Sequence, residues 1–238
     1  MRAASWLEPS SGDLTNHLVA LAGLPDESPS VPMLLARIVR SCAALVDPAD
    51  HVSVTVARHG DHLTQAASDW TAEAADLAQY AQDDGPCLMA LRSGEPVAVP
   101  DMAGALVWPR FRDVAWQNGV RASLSVPLFA SSGATVAALN LYARDAVAMA
   151  ALVRHVQACY QPAGDLPPLP SVDAGSRQLV AGLRGALHCQ DLIQRALGVL
   201  IGQHGLSVVE AYQRLVESTP PGSPLTATAS TVLRQFQS

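Results

Sequence analysis

Lysine is absent from this sequence. All 15 basic residues are arginine, so every cation is a planar fork suited to bidentate contact with phosphate or carboxylate. Charged residues make up only 15% of the chain and aromatic residues 5%. The four cysteines, Cys42, Cys87, Cys159 and Cys189, lie far apart and form no C-x-x-C pair. That spacing provides neither a zinc motif nor a disulfide framework, and a reducing cytoplasm is the expected setting. No apolar run is long enough to span a bilayer. The opening MRAASWLEPSSGD lacks the apolar stretch of a signal peptide. No Walker loop, metal motif or nucleophile–base pattern occurs, so the chain reads as a non-enzyme without a metal site.

What is present is unevenly distributed. The net charge is −6, which argues against a wholly basic nucleic-acid binder. Residues 1–174 hold 10 arginines against 18 acids, whereas residues 175–238 hold 5 against 3. The C-terminal part is therefore mildly basic and the rest acidic. Prolines divide the chain further. Residues 1–30 contain Pro9, Pro25 and Pro29 among small polar residues and read as a loose arm, with a short helix around Leu14–Leu21. QPAGDLPPLPSVDA, residues 161–174, reads as a semi-rigid linker. Between them lies a body, 31–160, and after the linker a C-terminal unit, 175–238.

The body alternates helical and strand patterns. Met33–Val46 places Leu34, Leu35, Ile38, Val39, Cys42 and Leu45 on one stripe. Val52, Val54 and Val56 alternate with Ser53 and Thr55 before a turn at His59-Gly60-Asp61, a hairpin signature. Thr71–Gln82 reads as a helix, and Gly85-Pro86 starts another, with proline in its first turn. EPVAVP is a short strand. WPRFRDVAWQNG is amphipathic and stops at Gly119. RASLSVPLF and ATVAALNLY are strands joined at Ala130-Ser131-Ser132-Gly133, and Ala146–Cys159 is a closing helix. The order α-β-β-α-α-β-α-β-β-α predicts an α+β fold, an antiparallel sheet flanked by helices.

In the C-terminal unit, Leu179, Leu183, Ala186, Gln190, Ile193, Leu197 and Leu200 recur at spacings of four and three. Such a row is either the seam of a dimeric coiled coil, with Gln190 setting register, or one face of a helix packed on its own domain. Gly205 ends this helix, Ser207 and Glu210 form a capping box for a second, and Thr226 is placed to cap a third. A small all-α unit of three helices results.

The segments DDGPCLMALRSGEPVAVPDM, WPRFRDVAWQNGVRASLSVPL and VAALNLY resemble a GAF domain, in particular that of bacterial GAF–ANTAR regulators. ALHCQDLIQRALGVLIGQHGLSVVEAYQRLV resembles an ANTAR domain. The resemblance implies a small-molecule sensory domain coupled to a helical domain that binds RNA hairpins in nascent transcripts, prevents termination, and acts as a homodimer. It implies a GAF ligand that the sequence does not identify, with Asp84, Cys87, Trp108 and Phe111 bordering its pocket. Asp83 falls beside them. Cys87, after Gly-Pro at a helix start, is open to a lowered thiol pKa or to a structural role. The RNA-contact candidates are Arg184, Gln190, Arg195, Arg214 and Arg234, with Tyr212 either stacking on a base or lying in the core. The chain departs from the ANTAR pattern where that family has S-R, A-K-G and N-R-K-L. Here those places hold Cys189-Gln190, Ala196-Leu197-Gly198 and Gly222-Ser223-Pro224-Leu225. The departures motivate an alternative, a dimeric sensor or adaptor whose ANTAR fold no longer binds RNA. His51, His59 and His62 cluster near the first hairpin and read as turn and surface residues.

Overall fold

The computed structural model describes residues 13–58, 60–161 and 172–236. His59, the first part of the N-terminal arm and most of the proline-rich linker lie outside these residues.

Five strands form one antiparallel sheet in the order β2-β1-β5-β4-β3. They are β1 (His51–Arg58), β2 (Asp61–Ala67), β3 (Val97–Val99), β4 (Ala122–Phe129) and β5 (Thr135–Ala143). Period-two alternation gives this sheet two different faces. Val52, Val54 and Val56 of β1, Leu124 and Val126 of β4, and Leu139 and Leu141 of β5 belong to one apolar core. That core is closed by α1 (Asp13–Ala22), α2 (Val31–Leu45), α6 (Ala146–Tyr160) and the first half of α7 (Ala174–His204). The stripe read from sequence on α2 is buried from Leu34 to Cys42. The opposite face is covered by α3 (Trp70–Tyr80) and α4 (Pro86–Ser93), with α5 (Pro109–Gln117) packed beside α3.

Residues 13–30 correct the expectation of a loose arm. Leu14, Leu18 and Leu21 of α1 are at most 1% exposed, and α1 lies along α7. Burying three leucines contributes roughly 1.5–3 kcal/mol each, so a helix of only ten residues is held by packing rather than by propensity.

Helix α7 is longer than its apolar pattern indicates, because Asp173 caps it by accepting from the Ser176 amide. Its 31 residues extend about 46 Å. Its first half completes the body and its second half forms the C-terminal unit. Ile193, Ala196, Leu197 and Leu200 pack there against Ala211 and Leu215 of α8 (Val208–Glu217) and Leu225 and Ala229 of α9 (Leu225–Phe236). Gly205, in the left-handed region, closes α7, and Ser207 and Glu210 form both bonds of the capping box. Replacing Ser207 with alanine is expected to cost about 1 kcal/mol, read as a lowered denaturation midpoint of the C-terminal helices. The third helix starts one residue before the cap expected at Thr226. Pro224 precedes its first turn, and the Ala227 amide donates to the Pro224 carbonyl.

Candidate functional site

The sheet face beneath α3 and α4 is polar and fully buried. Register places Ser53, Asn140 and Ser125 in one row across β1, β5 and β4, and His51, Tyr142 and Ser123 in the next. Asp76 of α3 points onto these rows and is wholly buried. One of its oxygens accepts from Ser53 Oγ at 2.9 Å, Asn140 Nδ2 at 3.1 Å and Tyr142 Oη at 2.7 Å; the other accepts from Thr64 Oγ1 at 2.8 Å. Burial pushes the Asp76 pKa up to about 6, against the opposing pull of the Tyr142, Ser53, Thr64 and Asn140 bonds. Thr55 extends the network, receiving Asn140 Nδ2 at 3.0 Å and lying 2.8 Å from Tyr80 Oη. Burial and the Asp76 charge also raise the Tyr80 and Tyr142 phenols. Asn140 Oδ1, Ser123 Oγ and Ser125 Oγ are buried without hydrogen-bond partners. This tier offers neutral donors and acceptors around one acid, chemistry suited to holding a polar group by hydrogen bonds.

The four pocket candidates do not share one site. Asp84, Trp108 and Phe111 border a depression of about 160 Å³, where Trp108 Nε1 donates to Asp84 Oδ1 at 3.1 Å. Asp83 lies apart from it, paired with Arg92 at 2.8 Å. Cys87 is instead part of the buried tier, 3.6 Å from Thr55 Oγ1. Burial, with the Asp76 charge, pushes its thiol well up despite its place at a helix start, which favours the structural of its two roles. Sequence reasoning alone misses the tier itself. Its signal is the serine, threonine and asparagine alternating with apolar residues in HVSVTVA, SLSVP and ALNLY, together with an aspartate in mid-helix. His51 also departs from expectation: it is 6% exposed, and its Nδ1 lies 2.9 Å from Asp69 Oδ2.

The RNA-contact candidates separate into two groups. Arg195, Arg214 and Arg234 are exposed on the C-terminal unit. Arg184 is half-buried and faces Cys159 of α6. Gln190 is turned toward the body, its Nε2 donating to the Ala130 carbonyl in the β4–β5 turn. Tyr212 is half-buried at the edge of the three-helix core, its hydroxyl 2.8 Å from Ser131 Oγ. Arg195 sits on the rim of an open groove of about 600 Å³, with Gly198, Val199, Gly202, Leu233 and Phe236 among its lining residues.

The seven residues of the four-three row do not form a free seam. Leu179 and Leu183 are covered by the body's core, and Ile193, Leu197 and Leu200 by α8 and α9. Ala186 is half-buried and Gln190 is bonded to Ala130. Spacing defines a helix face but not what covers it, and here the chain covers its own face. The expected dimer seam is corrected accordingly.

The chain is thus an antiparallel sheet with helices on both faces, followed by a three-helix unit. The sequence model of the GAF domain matches residues 28–154, more than half of the chain, and that of the ANTAR domain matches residues 181–218. The chain thus belongs to the GAF domain family and carries an ANTAR domain after it, the architecture of a GAF–ANTAR regulator, with an output domain of the RNA-binding class. No curated protein matches it. Among solved structures it is similar to a domain of a two-component sensor histidine kinase protein from Sinorhizobium meliloti 1021, at 14% identity and a TM-score of 0.41, covering 71% of this chain and 93% of that one. It is also similar to a GAF domain/HD domain protein from Geobacter sulfurreducens, at 16% identity and a TM-score of 0.39, covering 78% of this chain and 99% of that one. Among the described residues no single helix is long and apolar enough to cross a membrane, and no group of three or more metal-ligating side chains occurs.

Proposed function

We propose that this chain is a cytoplasmic, signal-responsive antitermination regulator. Its GAF layer senses a small molecule through the polar tier around Asp76, and its helical unit binds hairpin RNA in a nascent transcript. The observation that carries the reading is the open groove on α7 and α9. Arg195 pairs with Asp191 at 3.6 Å, both side chains 59% exposed; such a pair is weak and leaves the guanidinium available to phosphate. A Cβ added at Gly198 or Gly202 would meet nothing within 4 Å, so a ligand can approach the helix backbone there. Phe236 is 59% exposed and presents a ring on which an unpaired base of a hairpin loop can stack. A homodimer, which the family resemblance implies, would use a surface other than the four-three row.

Replacing Arg195 or Arg214 with alanine is expected to weaken binding of a paired-hairpin RNA and to reduce the salt slope of log K by about 1 for each phosphate no longer neutralised. Filter binding across a salt series reads this out, and unchanged slopes in both variants would contradict the reading.

A second reading has its own observation. Leu197, where the ANTAR pattern has lysine, is 2% exposed in the helical core, and Gln190, where it has arginine, is bound to the GAF body. A dimeric sensor or adaptor that has lost RNA follows from those two positions. Salt-sensitive RNA binding that depends on Arg195 and Arg214 would remove this alternative.

A further inference from the structure

The buried tier is uneven. Its β1 half is saturated: Asn140 Nδ2 donates to Thr55 Oγ1 at 3.0 Å, Asp76 Oδ1 at 3.1 Å and Ser53 Oγ at 3.2 Å. Its β4 half is not. Asn140 Oδ1, Ser125 Oγ and Ser123 Oγ have no partner, although all three residues are fully buried. Ser125 faces Asn140 directly in the β4–β5 register, and Ser123 stands two residues before it on the same face. Helix α4 lies over these two strands. An amide oxygen can only accept, and a hydroxyl can accept, so the guest that completes this half is a hydrogen-bond donor.

Charge is the second observation. Burial raises Asp76 only to about 6, so the carboxyl is ionised at neutral pH. Among the described residues no cation pairs with it: His51 is paired with Asp69, and His62 and Arg92 with Asp83. The other titratable groups around it, Tyr142 of β5, Tyr80 of its own helix and Cys87 of α4, are pushed up and stay neutral. A buried carboxylate without a counter-charge is costly. Asn140 joins the two observations. Its amide donates to the carboxylate through nitrogen and offers Oδ1 on its other side. The carboxylate polarises that amide and makes Oδ1 a stronger acceptor.

We infer that the ligand of the tier is a small cation of the ammonium class, ammonium itself or a short primary amine, held by Asn140 Oδ1, Ser123 Oγ and Ser125 Oγ with Asp76 as its counter-charge. The inference rests on the reading above that the tier is the sensing site. A primary ammonium has three N–H donors, one for each unmet oxygen. Facing Cα atoms of antiparallel strands are about 4.5–5.5 Å apart, which suits one nitrogen bonded at about 2.8 Å to oxygens on both strands. A water molecule donates only two bonds and brings no charge. The depression at Asp84, Trp108 and Phe111 gives such a cation an approach. The Phe111 ring lies 6.4 Å from the Tyr142 ring. Gln79 joins the two places, donating to Tyr142 Oη at 3.2 Å and accepting the Asp84 amide on its carbonyl at 3.2 Å. An acid and two aromatic faces attract a cation, against Arg110 on the same rim.

The test uses the full chain, wild type, Asp76→Asn and Ser125→Ala, and follows the Asn140 side-chain amide by heteronuclear NMR at neutral pH. The probes are ammonium chloride, methylammonium chloride, potassium chloride and acetamide, at an ionic strength held constant with sodium chloride. Asp76→Asn keeps a neutral network and removes the charge, and Ser125→Ala removes an oxygen that bonds to nothing else. The expected result is a saturable shift with ammonium, methylammonium or both, lost in Asp76→Asn and weakened about fivefold in Ser125→Ala. Saturation by ammonium alone assigns the ion, and saturation by methylammonium assigns a primary amine. Potassium saturating the site as tightly as the amines overturns the donor chemistry. Unchanged amine affinity in Asp76→Asn overturns the counter-charge, and unchanged affinity in Ser125→Ala overturns the assigned oxygens. Saturation by acetamide alone overturns the cationic class and leaves the tier as a small-molecule site. No response to any probe overturns the inference and the sensing role of the tier together.

Discussion

Asp76→Asn is expected to make the protein more stable than wild type at pH 8, by about 3 kcal/mol, and to confer no such gain near pH 4. The sign follows from the direction of the shift. Asp76 is fully buried, and burial raises its folded-state pKa from 3.8 to about 6. Below pH 4 the carboxyl is protonated in both folded and unfolded chains, so it contributes no pH dependence there. Between pH 4 and pH 6 the unfolded chain loses the proton while the folded chain retains it. Stability from this group then falls as pH rises, and the full loss is present above pH 6. Asparagine is neutral throughout. Its oxygen can still accept from Ser53, Asn140 and Tyr142, and its amide can donate to Thr64, whose hydroxyl turns toward Tyr80 at 3.0 Å. Asp69 has the opposite sign. Burial raises its pKa, but bonds from His51, Ser68 and the Ala72 amide hold it below 3.8, so its contribution is lost on acidification. Both proteins retain Asp69, and the wild-type–variant difference isolates Asp76. Denaturant midpoints at several pH values measure it, and a difference that does not grow between pH 4 and pH 8 would contradict the buried-acid account.

The second large effect is expected at Gly175, in the first turn of α7. A Cβ built there would lie 1.7 Å from the Leu45 carbonyl oxygen and 2.8 Å from the Val46 amide nitrogen. These are backbone atoms at the end of α2, and they cannot rotate away as a side chain can. Gly175→Ala is therefore expected to lift the start of α7 off the body and to cost about 3 kcal/mol or more. Leu179, Val180 and Leu183 follow within two or three turns and belong to the body's core, so loosening the first turn threatens their burial too. A urea midpoint close to wild type would show that α7 does not seat on α2 as described.

Most of the architecture was legible in the sequence because helices and strands here have one clean apolar face. The α2 stripe, the Gly-Pro start of α4, the β4 and β5 alternation and the Ser207 capping box each follow from local chemistry. What was hidden is what those faces meet. The four-three row of α7 has the same spacing whether a second chain or the same chain covers it, and nothing local distinguishes the two. Helix α1 is short, and its neighbours Pro25 and Pro29 resemble a linker; only its three buried leucines against α7 make it part of the core. The polar tier was visible as alternating serine, threonine and asparagine, residues that on a strand usually mark a solvent-facing side. Here α3 and α4 cover that side, so the polar residues become an interior network around Asp76. Gln190 shows the same limit, since a lone polar residue in an apolar row fits a register device as well as a hydrogen bond to the Ala130 carbonyl.

The helical unit is proposed to bind structured RNA through its remaining arginines. Equilibrium binding of the full chain to a paired-hairpin RNA over a salt series, with a scrambled hairpin as control, tests this. Specific binding whose log K falls with log salt at a slope of about −3 is predicted, as for three phosphate contacts by Arg195, Arg214 and Arg234. No binding at low salt would contradict this reading and favour the adaptor.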